Sequence, residues 1–207
     1  MPPVRLFLKA QTNKVPDDVL QAAGKQLRSY FERILATQTS RNFSNATFKV
    51  GPNAGEVGDK DLLVYITDGG SFIVKEMDRL DTSTTHQLPP GSPGGGTVRM
   101  PDGGVCSEVY WTGGLIHLQT ATYDKRAAAL ANLIFHEWAH NKYLSDANAM
   151  SKNEANGDYV HAYCGNGVLR AGMTYVQAAN WDINPANIAA MVKVLANSNK
   201  QYTSGLP

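Results

Sequence analysis

The segment from residue 125 to about 143 constrains the fold more than any other part of the sequence. Asp124 is a suitable N-cap, and the residues that follow are strong helix formers. They include Ala127, Ala128, Ala129, Leu130, Ala131, Leu133 and Ile134. Because a helix that is apolar on nearly every side must be buried, we expect this one to lie largely inside the domain.

The patterns around this helix predict an α+β fold. Apolar residues at three- and four-residue spacing make 17–37 a long amphipathic helix, and Asn184-Pro185 opens a last helix. The amphipathic stripe consists of Leu20, Ala23, Leu27, Phe31 and Ile34. We expect strands at 4–10, 48–50, 62–67, 108–111 and 115–119.

Two stretches are expected to be irregular. Residues 88–104 hold four of the ten prolines and a PGSPGGG run, which favours a loop. The stretch from 144 to about 180 is also expected to be loop-rich, with a short helix near Ser151, where Ser-x-x-Glu resembles a capping box.

Composition and charge narrow the range of partners. The 207 residues are 43% hydrophobic and 18% charged, so we expect one domain over 1–207. A net charge of +1 gives no field that would attract nucleic acid or an anionic membrane, and no run of about 18 apolar residues is present. We therefore expect a monomer that acts on a protein or peptide, without nucleic acid or membrane as a partner.

The start of the chain leaves localisation open. Residues 1–10 lack the pattern of a secretory signal, which suits a cytoplasmic protein, a protein exported by a leaderless route, or a mature domain. The two cysteines, Cys106 and Cys164, are far apart and are interpreted as buried thiols, with a disulfide as the alternative.

The central helix carries the residues with the clearest chemistry. His136 and His140 lie one turn apart, so their imidazoles can converge on one ion while Glu137 projects beside it. This is the His-Glu-x-x-His pattern of zinc hydrolases, in which the Glu acts as general base toward a water. We therefore expect Zn²⁺ bound by His136 and His140, with Glu137 as a catalytic residue. His86 and His117 lie outside any ligand spacing and are interpreted as structural.

A third zinc ligand is required, and Asp146 stands six residues beyond His140. The string HEWAHNKYLSD over 136–146 resembles the metzincin pattern His-Glu-x-x-His-x-x-Gly-x-x-His/Asp, in the Asp-ended form of the snapalysin group. Tyr143 occupies the position of the family's glycine. The segment AGMTY over 171–175 resembles the family's Met-turn, with the Met-x-Tyr form of astacin-like and serralysin-like members.

The metzincin resemblance implies a twisted mixed sheet, a long N-terminal helix, an active-site helix and a C-terminal helix. It implies zinc binding by His136, His140 and Asp146, with Met173 packed under the metal and Tyr175 as a donor to the transition-state oxyanion. The rival is Glu154, in a segment that resembles the Asn-Glu-x-x-x-Asp of thermolysin-like enzymes. Asp158 and His161 are further candidates for the third ligand.

These features together predict a zinc-dependent endopeptidase. By analogy with the family, a substrate would extend along an edge strand, for which 108–111 and 115–119 are the candidates. Two alternatives remain: a zinc-containing binding protein without activity, and an exported toxin-like effector that uses the same peptidase chemistry.

Overall fold

The structure is a computed structural model, and it describes residues 6–10, 14–37, 61–69, 71–87, 94–111, 123–145, 167–170 and 173–195. Within these ranges the strands are β1 (Leu6–Ala10), β2 (Leu62–Thr67), β3 (Gly95–Arg99) and β4 (Val105–Tyr110). The helices are α1 (Asp17–Ala36), α2 (Ser71–Leu80), α3 (Tyr123–Ser145), α4 (Tyr175–Asn180) and α5 (Pro185–Leu195). The fold is α+β, as the sequence predicts.

The four strands form one mixed sheet in the order β1-β2-β4-β3. β1 pairs with β2 and β2 pairs with β4, both in parallel, with Leu8 opposite Val64 and Tyr65 opposite Glu108. β3 pairs with β4 in antiparallel fashion and places Thr97 opposite Ser107. Among the described strands, β3 and β1 are therefore the edges, and β4 lies in the interior of the sheet.

The main core lies between one face of the sheet and the helices α1, α3, α4 and α5. The predicted apolar stripe of α1 is buried along its whole length. Phe31 of α1 packs edge-on against Trp138 of α3, with ring centroids 4.5 Å apart. A smaller cluster, which includes Tyr65, Ile73 and Cys106, lies on the opposite face beneath α2.

Buried polar groups fix the helices around α3. Asn132 accepts a hydrogen bond from the Tyr30 hydroxyl of α1 at 2.7 Å. Its side-chain amide donates to the carbonyl oxygens of Ala178 and Trp181, at 2.7 and 2.8 Å. Since a buried amide must have its partners, this one residue sets the positions of α1 and α4 relative to α3.

Several elements differ from the sequence prediction. Residues 88–104 were expected to be a loop, but β3 and a tight turn lie within them. The prediction was wrong because it considered the glycine-rich run by itself. A turn at Gly103, with φ of 82°, brings the run beside β4, and backbone hydrogen bonds to β4 then hold it as a strand. Helix α4 lies inside the segment expected to be irregular, and α2 was not predicted.

The other predicted helices and strands either agree closely with the structure or fall on residues that it does not describe. The ends of α1, α3 and α5 agree with the predicted helices within about two residues. The strand predicted at 108–111 begins three residues earlier, at Val105. The strands predicted at 48–50 and 115–119, and the helix near Ser151, lie outside the described residues. No helix within the described ranges combines the length and apolar character that a bilayer crossing requires.

Candidate metal centre

His136 and His140 are the accessible positions on an otherwise buried part of α3. Every residue from Ala129 to Lys142 is buried except these two histidines, which are partly exposed. The packing of α3 on the sheet, α1 and α4 covers the other sides of the helix. The two imidazoles therefore lie together on one partly exposed side of α3.

The two imidazoles converge through one nitrogen each. The Nε2 atoms of His136 and His140 lie 3.1 Å apart, and the ring centroids are 4.8 Å apart. The Nδ1 atom of His136 lies 2.8 Å from the carbonyl oxygen of Val168. Because a carbonyl can only accept, Nδ1 carries the proton and Nε2 of the neutral ring presents its lone pair.

The carbonyl behind His136 is held by a turn that requires glycine. Gly167 has φ of 100°, and the Arg170 amide donates to its carbonyl oxygen at 3.0 Å. A Cβ at this position would lie 2.5 Å from the side-chain nitrogen of Asn184. Asn184 and Asn187 bond each other's backbone amides at the start of α5. The turn at Gly167 therefore packs against the N-terminus of α5. This packing fixes the position of Val168 next to His136.

The Glu137 carboxylate is buried on the side of α3 that faces β3. Its Oε2 atom accepts a hydrogen bond of 2.7 Å from the Thr97 hydroxyl. Burial raises the pKa of Glu137 to about 8, and the Thr97 hydrogen bond opposes this rise in part. A carboxylate that is short of solvation has a high affinity for protons, which suits a general base.

The two histidines fit a zinc ion. A tetrahedral Zn²⁺ holds two imidazole nitrogens about 2.0–2.1 Å from itself and thus about 3.3 Å from each other, close to the observed 3.1 Å. The Val168 carbonyl supplies the outer hydrogen bond that ligating histidines require. Among the described residues no group of three or more potential ligands comes together.

All four candidates for the third ligand lie outside the described residues: Asp146, Glu154, Asp158 and His161. Their assignment stays a prediction. The length of α3 bears on the third ligand. The helix continues through Tyr143 to Ser145. At 1.5 Å per residue, Ser145 lies about 7.5 Å farther along the axis than His140.

The Met-turn-like segment leads directly into α4. Met173 is buried in the main core together with residues of α3. Thr174 caps α4 in a reciprocal capping box with Gln177, which fixes the first turn of that helix, where Tyr175 lies. The Tyr175 hydroxyl lies 3.7 Å from the point that a Cβ on Gly94 would occupy, at the start of β3. Burial raises the pKa of Tyr175 to about 12, so its hydroxyl stays protonated at neutral pH.

A second buried carboxylate, Glu108, was not predicted. It lies on β4 and is fully buried, and neither carboxylate oxygen has a hydrogen-bond partner of good geometry within the described part of the chain. Burial raises the pKa of Glu108 to about 7, against weaker opposing effects of Thr67, Tyr110 and the Phe72 and Ile73 amides. Burial also raises the pKa of the Tyr110 hydroxyl.

Two other predicted residues have plain structural roles. His86 bonds Asp78 through both its backbone amide and Nδ1, the latter at 3.0 Å, which agrees with a structural role. Cys106 is a buried free thiol, as expected, and Cys164 lies outside the described residues.

Sequence reasoning missed the residues that surround Glu137 and His136. Thr97 and Ser107 belong to no motif, and the contribution of Val168 is a backbone atom. The GGGT run over 94–97 carried the available signal, since repeated glycines beside a strand indicate a close approach of another group.

Comparisons with protein-family models, with curated proteins and with solved structures find no match to this chain.

Proposed function

We propose that this protein is a zinc-dependent endopeptidase. The observation that carries the proposal is the convergence of the His136 and His140 Nε2 atoms, at 3.1 Å, beside a buried Glu137. One histidine is oriented by the Val168 carbonyl, as ligating imidazoles are. Metal-dependent peptide hydrolysis needs ligands for the ion and a base side by side, and this arrangement offers two imidazoles and a carboxylate.

The proton between the two histidines must leave Nε2 when a metal binds. In the metal-free chain the 3.1 Å contact suits a hydrogen bond from Nε2–H of His140 to Nε2 of His136. With a metal bound, the neutral His140 would carry its proton on Nδ1 instead. Because a doubly protonated imidazole has no lone pair for a metal, zinc binding should weaken at acid pH. Bound zinc supplies a Lewis acid that polarises the scissile carbonyl and makes a water acidic.

Glu137 is proposed as the base that receives the proton of the attacking water and passes it to the leaving amine. Its Oε2 atom is already bonded to Thr97. We therefore assign the proton to Oε1, the oxygen that Thr97 does not hold. Tyr175, with its protonated hydroxyl at the start of β3, is proposed as a hydrogen-bond donor to the oxyanion.

The substrate is proposed to extend along β3. The sequence suggested 108–111 or 115–119 as the docking strand. Residues 108–110 belong to β4, which is paired on both sides, and 115–119 lies outside the described residues. β3 has a partner on one side only among the described strands, and its Thr97 contacts Glu137. A peptide added to this edge would run past the proposed base.

A metzincin-like and a thermolysin-like form of this site remain distinct proposals. The long N-terminal helix, the mixed sheet, the motif helix and the C-terminal helix support the metzincin-like form with Asp146 as ligand. The length of α3 favours a ligand from farther along, such as Glu154. A zinc ion held by His136 and His140 would lie beside them, while the helix continues to Ser145 and carries the chain away. Asp146 reaches the ion only if the chain reverses directly after Ser145.

Alanine variants distinguish these two forms through zinc content. Because α3 continues to Ser145, we expect Asp146→Ala to keep its zinc, and one of the variants Glu154→Ala, Asp158→Ala and His161→Ala to lose it. Loss of zinc from Asp146→Ala alone would instead support the metzincin-like form.

The function itself is tested by elemental analysis together with cleavage of an unstructured protein such as casein, with and without a chelator. We expect one zinc per chain, chelator-sensitive cleavage, and at least roughly a 100-fold loss of rate in Glu137→Gln with zinc retained. Zinc without any cleavage would support a binding protein instead. Undiminished cleavage by Glu137→Gln would rule out the proposed base.

A further inference from the structure

Two hydroxyl groups on adjacent strands hold Glu137. Thr97 on β3 and Ser107 on β4 lie opposite each other in the ladder, with their oxygens 2.8 Å apart. Thr97 Oγ1 lies 2.7 Å from Oε2 of Glu137 and 3.0 Å from its backbone oxygen. Ser107 Oγ lies 3.1 Å from the same backbone oxygen. The base is thus held at both its side chain and its main chain.

The protons available to these hydroxyls determine which contacts are hydrogen bonds. Each hydroxyl has one proton to donate. The nearer acceptor takes the Thr97 proton, so Thr97 donates to Oε2 of Glu137 at 2.7 Å and not to the backbone oxygen at 3.0 Å. The Ser107 proton then goes to the Glu137 backbone oxygen or to Thr97 Oγ1, and either choice leaves the Thr97 bond intact.

A glycine makes room for this arrangement. A Cβ on Gly95 would lie 2.8 Å from Cγ of Glu137 and 2.9 Å from its Oε1, both closer than such contacts allow. The absence of a side chain there lets the carboxylate lie against β3 and within reach of Thr97. Gly95 therefore leaves space for the carboxylate, and Thr97 binds it.

We propose that Thr97 is a positioning residue that fixes the Glu137 side chain, so that Oε1 faces the attacking water while Oε2 is held. This inference rests on the proposed peptidase function. A base held in one rotamer acts without first losing conformational freedom, and a displacement of about 1 Å can cost about 100-fold in rate. The Thr97 hydroxyl acts through Glu137 and touches neither the reacting atoms nor the metal.

The kinetic test compares Thr97→Val, which removes the hydroxyl at nearly constant shape, with Thr97→Ser, which keeps it. We expect Thr97→Val to lower kcat by about 10- to 100-fold, with zinc content unchanged and KM within about twofold. Thr97→Ser should stay within about threefold of wild type. The matched control is Thr37→Val, the same change at the end of α1, where the hydroxyl donates to the Ile34 carbonyl oxygen; it should keep kcat within about twofold.

A second readout uses the metal-free protein and needs no activity. Thr97→Val should lower Tm in the wild-type background, and by less than half as much in a Glu137→Met background, where the acceptor is missing. If Thr97→Val fails to fold, Thr97→Ala takes its place in both measurements, with an expected loss in kcat of about 10- to 100-fold.

The outcomes separate the two proposals. A wild-type protein that binds zinc but cleaves no peptide overturns the peptidase proposal. It also overturns the positioning role of Thr97 in catalysis, even if Thr97→Val lowers Tm less in the Glu137→Met background than in wild type. Wild-type cleavage together with an unchanged kcat in Thr97→Val overturns the positioning role alone. A loss in Thr97→Ser as large as that in Thr97→Val also overturns it, because the hydroxyl would then not be the cause.

Discussion

Tyr175 brings a phenol hydroxyl to the start of β3, close to the proposed path of the substrate. Because burial raises its pKa to about 12, the hydroxyl remains a donor throughout the neutral range. We expect Tyr175→Phe to lower kcat by about 10- to 1000-fold through loss of an oxyanion hydrogen bond, with little change in zinc content. Steady-state kinetics on one peptide measures this, and wild-type kcat in the variant would reduce Tyr175 to a packing role.

Glu108 should make the stability of the protein depend on pH. Its pKa is about 7 in the folded chain and near 4.5 when exposed, so the folded state binds more protons between these values. The contribution of Glu108 to the free energy of unfolding is then greatest below about pH 4.5. It falls by roughly 3 kcal/mol as the pH rises to 7.

Urea unfolding of the metal-free protein at pH 5 and pH 8 tests this effect. Because Glu137 titrates in the same direction, the comparison is made in the Glu137→Gln background, with and without Glu108→Gln. The doubly substituted protein should lose less stability between the two pH values. An identical loss in both proteins would show that Glu108 is not protonated in the folded state near pH 6.

The sequence identifies single residues only where chemistry requires a fixed spacing. His136, Glu137 and His140 were found because helix periodicity alone brings them together. Thr97 and Ser107 lie 40 and 30 positions from Glu137, and only the sheet register brings them to it. No local pattern encodes a register of that kind.

The turn at Gly167 links the metal site to the start of α5. We expect Gly167→Ala to destabilise the fold by about 1–3 kcal/mol, because alanine disfavours a φ of 100° and its Cβ would meet the Asn184 side chain. Displacement of Val168 should also weaken zinc binding by about 10- to 100-fold. Denaturant unfolding and zinc titration measure the two effects.

Gly103→Ala is the matched control for this turn. Gly103 also has positive φ, but its Cβ would meet nothing within 4 Å, and it lies in the β3–β4 turn. It should lose stability through backbone strain alone and keep its zinc affinity. Equal zinc affinity in both alanine variants would contradict the role given to Val168.

Periodicity predicted the long helices and failed for the short elements. α1, α3 and α5 have enough turns for an apolar pattern to show. α4 has six residues, yet Thr174 and Gln177 form a capping box that the sequence displays. β3 was missed because glycines are uncommon in strands. The turn sequence Pro101-Asp102-Gly103-Gly104 nevertheless indicates a hairpin. In α2, Phe72, Ile73 and Val74 favour a strand as much as a helix.

The sheet order could not be derived from the sequence, because it depends on contacts between distant segments. β2 lies between β1 and β4 in parallel, and β3 reaches the edge only through the hairpin. This order places β3 beside Glu137. Of the two docking strands that the sequence suggested, 108–111 has neighbouring strands on both sides, and 115–119 lies outside the described residues.

Zinc should stabilise the whole molecule, because His136 and His140 converge only in the folded state. A ligand at 100 times its Kd adds about 2.7 kcal/mol if it binds the folded chain alone. For a chain of this length that corresponds to a rise in Tm of roughly 5–10 °C. We expect this rise in wild type and in Glu137→Gln, which keeps both histidines, and its absence in His136→Ala and His140→Ala. Calorimetry with added zinc and with a chelator measures it, and a rise of the same size in the histidine variants would place the bound metal elsewhere on the protein.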